Sequence, residues 1–138
     1  MASVRVDICI DRTAEAVWTA IADVGAVHRR LLPGRVAGAR IEGDHRILTM
    51  PDGSEVRELI LAVDHEMRRM AYAVVGGQRM PLAFHHASFQ VLAESDGGSR
   101  LVWITDVLPH AAADAVRARV EVGIAEMKRV LEGRTSAG

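Results

Sequence analysis

Two different hydrophobic periods divide this chain. Between Gly34 and Pro109 it is a series of short alternating or continuous apolar runs. After Pro109 the apolar residues Val116, Val120, Gly123, Ile124, Met127, Val130 and Leu131 recur at the spacing of one helix face. Asp114, Arg117, Glu121, Lys128 and Glu132 fall on the opposite side, with Arg117/Glu121 and Lys128/Glu132 four residues apart, as on a solvated surface. Pro109 precedes the first turn, Asp114 lies near the positive helix end, Lys128 and Arg129 near the negative end, and Gly133 offers a left-handed stop. A twisted antiparallel sheet followed by one long helix buries both apolar faces by curling around that helix, an α+β arrangement that tends to leave a cavity.

Upstream, Val4, Val6, Ile8 and Ile10 alternate with Arg5, Asp7, Cys9 and Asp11, which predicts a half-buried strand with Cys9 on its polar face. Thr13 is a plausible N-cap for a helix carrying Val17, Trp18, Ile21 and Val24 on one side and stopping at Gly25. A short second helix over Ala26–Leu32 ends before Pro33-Gly34. Strands are then expected over Arg35–Glu42, His45–Met50, Glu55–Asp64, Met67–Val75, Leu82–Glu94 and Ser99–Leu108. Their separators, Gly43-Asp44, Pro51-Asp52-Gly53, Gly76-Gly77 and Asp96-Gly97-Gly98, supply the positive φ angles and preset turns that hairpins need. The resulting order is β-αα-β6-α, in one domain over residues 1–133, with 134–138 as a disordered tail.

Composition narrows the function. A chain of 138 residues suffices for one domain with a real core. A net charge of −1 provides no polybasic field for nucleic acid or an anionic membrane, and no apolar run is long enough to span a bilayer. The N-terminus lacks the basic start and continuous apolar stretch of a signal peptide, and a lone Cys9 makes no internal disulfide, so a cytoplasmic location is expected. Aromatic residues make up only 4%, so few large rings are available to fill the space between sheet and helix. Val, Leu, Ile, Met and Ala with a few polar groups would then line a site for a small molecule.

Four stretches carry a resemblance: Thr13-Ala14-Glu15-Ala16-Val17-Trp18, Val56-Arg57-Glu58-Leu59-Ile60, Arg68 to Gly77, and Ser99-Arg100-Leu101-Val102-Trp103-Ile104-Thr105. With the order of elements, they make residues Ser3–Glu132 resemble the START-like, or SRPBCC, helix-grip superfamily, in its polyketide cyclase/dehydrase and lipid-transport branch. That superfamily includes aromatase/cyclases, lipid and sterol carriers, and plant hormone receptors. The resemblance implies that Glu58 is a carboxylate pointing into the cavity, that Tyr72 is a strand aromatic, and that His85 stands where the receptors have a pocket tyrosine. It places Trp103 and Thr105 on the inward side of the last strand with Leu101 and Val107. Leu31 stands where the receptors carry a tryptophan.

Residue-level chemistry agrees with that picture at several points. A type I turn centred on Pro51-Asp52, with Gly53 left-handed, pairs Met50 with Ser54 and so sets Arg46 opposite Glu58. On the inner face this is a buried ion pair that orients a polar ligand group; on the outer face it is an ordinary cross-strand pair. Alternation leaves the face open, because Leu59 to Val63 is apolar throughout. His85 and His86 are adjacent in a strand and face opposite ways, which disfavours a shared metal, and no cofactor motif is present. His85 inward is either a hydrogen-bonding or acid/base group or a histidine that only packs. His28, His45, His65 and His110 read as solvated, Cys9 as structural, and Arg119 as a residue at the pocket mouth or a partner of Glu126. Val102 and Ile104 form an apolar outer patch that a homodimer contact would cover.

Three functions remain open at this level. The first is a binder of a small hydrophobic molecule, lipid-, polyketide- or aromatic-like, in a cavity lined by Arg46, Glu58, Tyr72, His85, Phe89, Trp103, Thr105, Val116, Val120, Ile124 and Met127. The second is a polyketide aromatase/cyclase or dehydratase in which His85 or Tyr72 moves protons while Arg46 or Arg119 polarises a carbonyl. The third is a non-catalytic module that binds a partner protein.

Overall fold

The chain begins in β1 (Ala2–Ile10), an edge strand, and returns beside it at the end of the sheet in β7 (Ser99–Leu108). Between them lie α1 (Ala14–Ala22), a 3-10 turn at Val24–Ala26, α2 (Val27–Arg30), and strands β2 (Gly38–Glu42), β3 (His45–Thr49), β4 (Glu55–Asp64), β5 (Arg69–Gly76) and β6 (Phe84–Ala93). After β7 a second 3-10 turn leads into α3 (Ala113–Leu131), 19 residues long. This computed structural model describes residues 2–77 and 81–133, so the expected tail over 134–138 lies outside the described residues. The seven strands form one antiparallel sheet in the order β1-β7-β6-β5-β4-β3-β2, with α3 on its concave face against β1 and β7.

Local chemistry accounts for most of these elements. Thr13 caps α1, its Oγ1 accepting from the Ala16 amide at 3.1 Å. At the 50–54 turn the Gly53 amide donates to the Met50 carbonyl at 2.9 Å and Met50 donates to Ser54 at 2.8 Å, with Gly53 at φ +87°. That turn pins the β3–β4 register with Arg46 opposite Glu58. Gly133, at φ +75°, ends the last helix as expected.

Several expectations need correction. α1 ends at Ala22, before Gly25, because the chain turns into 3-10 geometry after Asp23. β2 starts at Gly38 rather than Arg35, because the Arg35 and Val36 amides are taken by the Leu32 carbonyl. Lys128 and Glu132 do not simply decorate a solvated face. Lys128 Nζ donates to the Cys9 carbonyl at 2.6 Å, and Glu132 Oε2 accepts from the Asp11 amide at 2.7 Å, which pins the end of α3 to the end of β1. Nor is Val102 an exposed patch. It is 5% exposed, because β7 is an inner strand whose neighbours Asp7, Gln90 and Arg100 cover it.

Two packed clusters fill the interior. The larger joins α1 and α2 to Phe89, Leu101, Ile124 and Met127; the smaller joins Val4, Leu82 and Val107 to Val116 and Val120. Val6 and Trp103 pack against both.

Candidate functional site

A pocket of about 530 Å³ opens between the inner face of the sheet and α3. Its polar groups come from four strands: Glu58 on β4, Tyr72 on β5, His85 on β6, and Trp103 and Thr105 on β7. Val116, Arg119, Val120 and Gly123 of α3 form the facing wall. Leu48, Val56 and Val74 of the strands, with Met50 just after β3, add apolar wall. Leu32, Gly34, Arg35 and Val36 before β2, with Pro51 and Asp52 of the β3–β4 turn and Leu82, complete the lining. These connecting residues carry no periodic signal and escaped the sequence reading.

The open question of the Arg46–Glu58 face is resolved by burial. Arg46 is 3% exposed and Glu58 4%, so the pair lies inside. Arg46 Nε donates to Glu58 Oε1 at 2.7 Å, and its Nη1 donates to the Val24 carbonyl at 3.2 Å. The guanidinium also sits 5.3 Å from the centre of the Tyr72 ring, a favourable cation–π distance. Arg46 thus stands behind Glu58 and is not part of the pocket wall; it holds the carboxylate that is.

Burial controls the titration of these groups. It pushes the Glu58 carboxyl above its ordinary value, with Arg46 opposing. Burial also raises the Tyr72 hydroxyl well above its usual range, helped by the nearby Glu58, so Tyr72 stays protonated. His85 is pushed the other way, by burial first and then by Arg119 and His86, so its imidazole is held neutral. His86 faces outward, 3.7 Å from Asp106. The two histidines therefore point to opposite sides, as alternation requires.

An aromatic chain crosses the floor. Tyr72 lies 6.5 Å from His85 and 6.4 Å from Phe89, and Phe89 lies 4.6 Å from Trp103, ring centre to ring centre. The Trp103 indole reaches α3 itself: a Cβ placed on Gly123 would fall 3.0 Å from its ring. A side chain there would force the indole back by a few tenths of an ångström, and glycine avoids that.

That contact divides the apolar stripe of α3. Val116 and Val120 face the pocket, whereas Ile124 and Met127 lie on the far side of Trp103 in the packed core, and Phe89 is buried beneath the indole. Phe89, Ile124 and Met127 are thus core residues and not pocket lining. Trp103 is also not opposite α3 across a void but in contact with it.

The other candidates divide between the pocket and its surroundings. Arg119 lines it, while Glu126 pairs with Arg129. His65, expected to be solvated, accepts from Trp18 Nε1 at 3.1 Å, and His28 Nδ1 is buried. Cys9 is exposed, across from Arg100. Among the described residues no helix is long and apolar enough to cross a membrane.

Comparison with known proteins follows this geometry. No curated protein matches the chain. A solved structure of an uncharacterized protein from Bacillus thuringiensis superposes with a TM-score of 0.83 at 17% identity, covering 94% of this chain and 98% of that one. Norcoclaurine synthase from Thalictrum flavum, in complex with dopamine and hydroxybenzaldehyde, gives 0.71 at 18% identity, covering 96% and 84%. A START superfamily protein from Mycobacterium smegmatis gives 0.73 at 14%, covering 95% and 94%. At these identities the likeness speaks to the fold, which is the helix-grip fold. Residues 1–132 match the model of the polyketide cyclase/dehydrase and lipid transport family, and the chain belongs to that family.

Proposed function

We propose that the protein binds a small, mostly hydrophobic molecule in the pocket between its sheet and α3. The observation that carries this reading is the pocket itself: about 530 Å³, walled by valines and leucines, with Glu58, Tyr72, His85, Trp103 and Thr105 converging on it. Sites for small molecules are built this way, with a concave apolar wall and a few fixed polar groups. The family and the fold support the reading, as does the capacity of norcoclaurine synthase, on the same fold, to hold dopamine and hydroxybenzaldehyde. A thermal-shift screen with fatty acids, sterols and aromatic ketones tests it. Binding at about 100 times Kd adds about 2.7 kcal/mol and raises the midpoint by several degrees; a panel in which no compound raises the midpoint argues against the reading.

A second reading, acid/base catalysis, is favoured by one specific arrangement. His85 and Tyr72 line the same pocket with ring centres 6.5 Å apart, one a neutral imidazole able to accept a proton, the other a phenol that stays protonated and can donate a hydrogen bond to a substrate oxygen. On this reading a substrate carbonyl is polarised by Arg119, which lines the pocket as Arg46 does not. His85→Ala would then abolish turnover of a poly-β-keto substrate while leaving its binding largely intact. Equal loss of both would leave simple binding as the better account.

A further inference from the structure

Trp103 and Thr105 are two residues apart on the inner face of β7, and both line the pocket. Trp103 Nε1 and Thr105 Oγ1 are buried with no hydrogen-bond partner among the described residues. An indole N–H can only donate, and a threonine hydroxyl donates or accepts. Leaving such groups dry and unpaired works against folding, so two of them on one wall are unusual. Both atoms are closed to water, so an occupant reaches them only as the neighbouring side chains shift, and the bond then made is sheltered from solvent.

The buried charge on the strand side of the pocket is balanced. Arg46 is matched by Glu58 at 2.7 Å, so this pair presents no uncompensated buried cation to an anionic guest. His85, held neutral, adds none. The remaining surface here is the aromatic side chains of Tyr72 and Trp103 and, on α3, Val116 and Val120 with Arg119 between them.

We propose that Trp103 Nε1 and Thr105 Oγ1 select the occupant: a neutral ring compound bearing a carbonyl or phenolic oxygen, which accepts from the indole with the threonine hydroxyl as its second partner. This rests on the pocket-binding reading above. Trp103 is a specificity-determining residue in this account, held in place by Phe89 at 4.6 Å and by its contact with Gly123.

The test uses three probes of similar size: 1-tetralone, its hydrocarbon counterpart tetralin, and the anion 1-naphthoate. The chain has two tryptophans, and Trp18 Nε1 is already engaged by His65, so a nitrogen–proton correlation spectrum carries an internal control. 1-Tetralone is expected to move the Trp103 indole signal, to leave that of Trp18 in place, and to bind about 10-fold more tightly than tetralin. Trp103→Phe, which keeps a ring and removes the donor, should erase that margin while tetralin affinity is kept. Thr105→Val, nearly isosteric, should reduce the margin and keeps the test available should Trp103→Phe fail to fold. Equal binding of 1-tetralone and tetralin with an unmoved Trp103 signal would overturn this inference and leave the pocket-binding reading standing. Tighter binding of 1-naphthoate, with the Trp103 signal shifted, would overturn the neutral-ligand assignment. Binding of none of the three would overturn the pocket-binding reading itself, and this inference with it.

Discussion

Removing Arg46 isolates a buried carboxylate, and the consequence can be worked out in advance. In Arg46→Met the methionine fills much of the arginine's volume, but Glu58, 4% exposed, loses the guanidinium that met its Oε1 at 2.7 Å. An unpaired buried carboxylate takes up a proton rather than stay charged. At pH 7 protonating it from a reference near 4.3 costs ~3.7 kcal/mol, and at pH 5 only ~1 kcal/mol. The lost hydrogen bond to the Val24 carbonyl adds about 1 kcal/mol at either pH. Because burial already raises the wild-type carboxyl, these sums are ceilings, and the variant should be destabilised by up to about 4 to 5 kcal/mol at pH 7 and up to about 2 kcal/mol at pH 5. The sign follows from linkage. In the variant the folded pKa of Glu58 lies above the unfolded value, so its contribution is complete below about pH 4 and is lost as pH rises toward the folded pKa. Urea denaturation followed by circular dichroism at both pH values measures the difference. A loss below about 1 kcal/mol at pH 7, or one that does not change between pH 5 and 7, would refute the claim that this is a buried, charge-matched pair.

Three further outcomes are expected. Gly123→Ala places a methyl 3.0 Å from the Trp103 ring, a crowding cost of about 1–3 kcal/mol that the better helix propensity of alanine offsets by about 1 kcal/mol, and it should shift the Trp103 indole resonance while sparing that of Trp18; an unchanged Trp103 signal would show that α3 is not held against the indole. His85 has a folded pKa below its unfolded value, so its contribution to stability is present above about pH 6.5 and lost as pH falls through the folded pKa. Stability measured from pH 7.5 to 5 should fall less steeply in His85→Gln, and an identical slope would count against an inward His85. Breaking the Trp18–His65 hydrogen bond through Trp18→Phe, His65→Ala and the double variant should yield a coupling of about 0.5–1.5 kcal/mol by chemical denaturation, whereas strict additivity would mean the bond contributes nothing.

How much of this was legible beforehand depended on whether a local rule governed the residue. The β3–β4 register was readable because Pro51-Asp52-Gly53 admits few turn geometries, and that put Arg46 across from Glu58. The face of the pair was not readable. β4 is irregular on both sides of Glu58, with register shifts between Arg57 and Glu58 and between Ile60 and Ala62, so strict alternation fails where it was needed. That Leu101, Trp103, Thr105 and Val107 share one face of β7 was readable from the period of an unbroken strand, whereas the inward direction of that face came from the family resemblance.

The terminal helix shows the other limit. Its apolar stripe was plain in the sequence, but a stripe does not say which of its turns face a void and which face packed side chains. Gly123 in the middle of the stripe was the available signal: a glycine inside a buried helix face marks a close approach. What approaches is Trp103, and it separates Val116 and Val120, which line the pocket, from Ile124 and Met127, which do not. The mouth residues Leu32 to Val36 were out of reach, because their positions follow from loop packing and not from any period.

The central claim, that the pocket between sheet and α3 holds a small apolar molecule, is tested most directly by native mass spectrometry of gently purified protein beside a Val120→Trp variant, whose added rings occupy the space that Val120 borders. The account predicts a noncovalent adduct of a few hundred daltons on the wild type, or one formed on adding 1-tetralone, that is absent from a folded Val120→Trp protein. An adduct retained by the filled variant, or a wild type that takes up no compound under either condition, would contradict it.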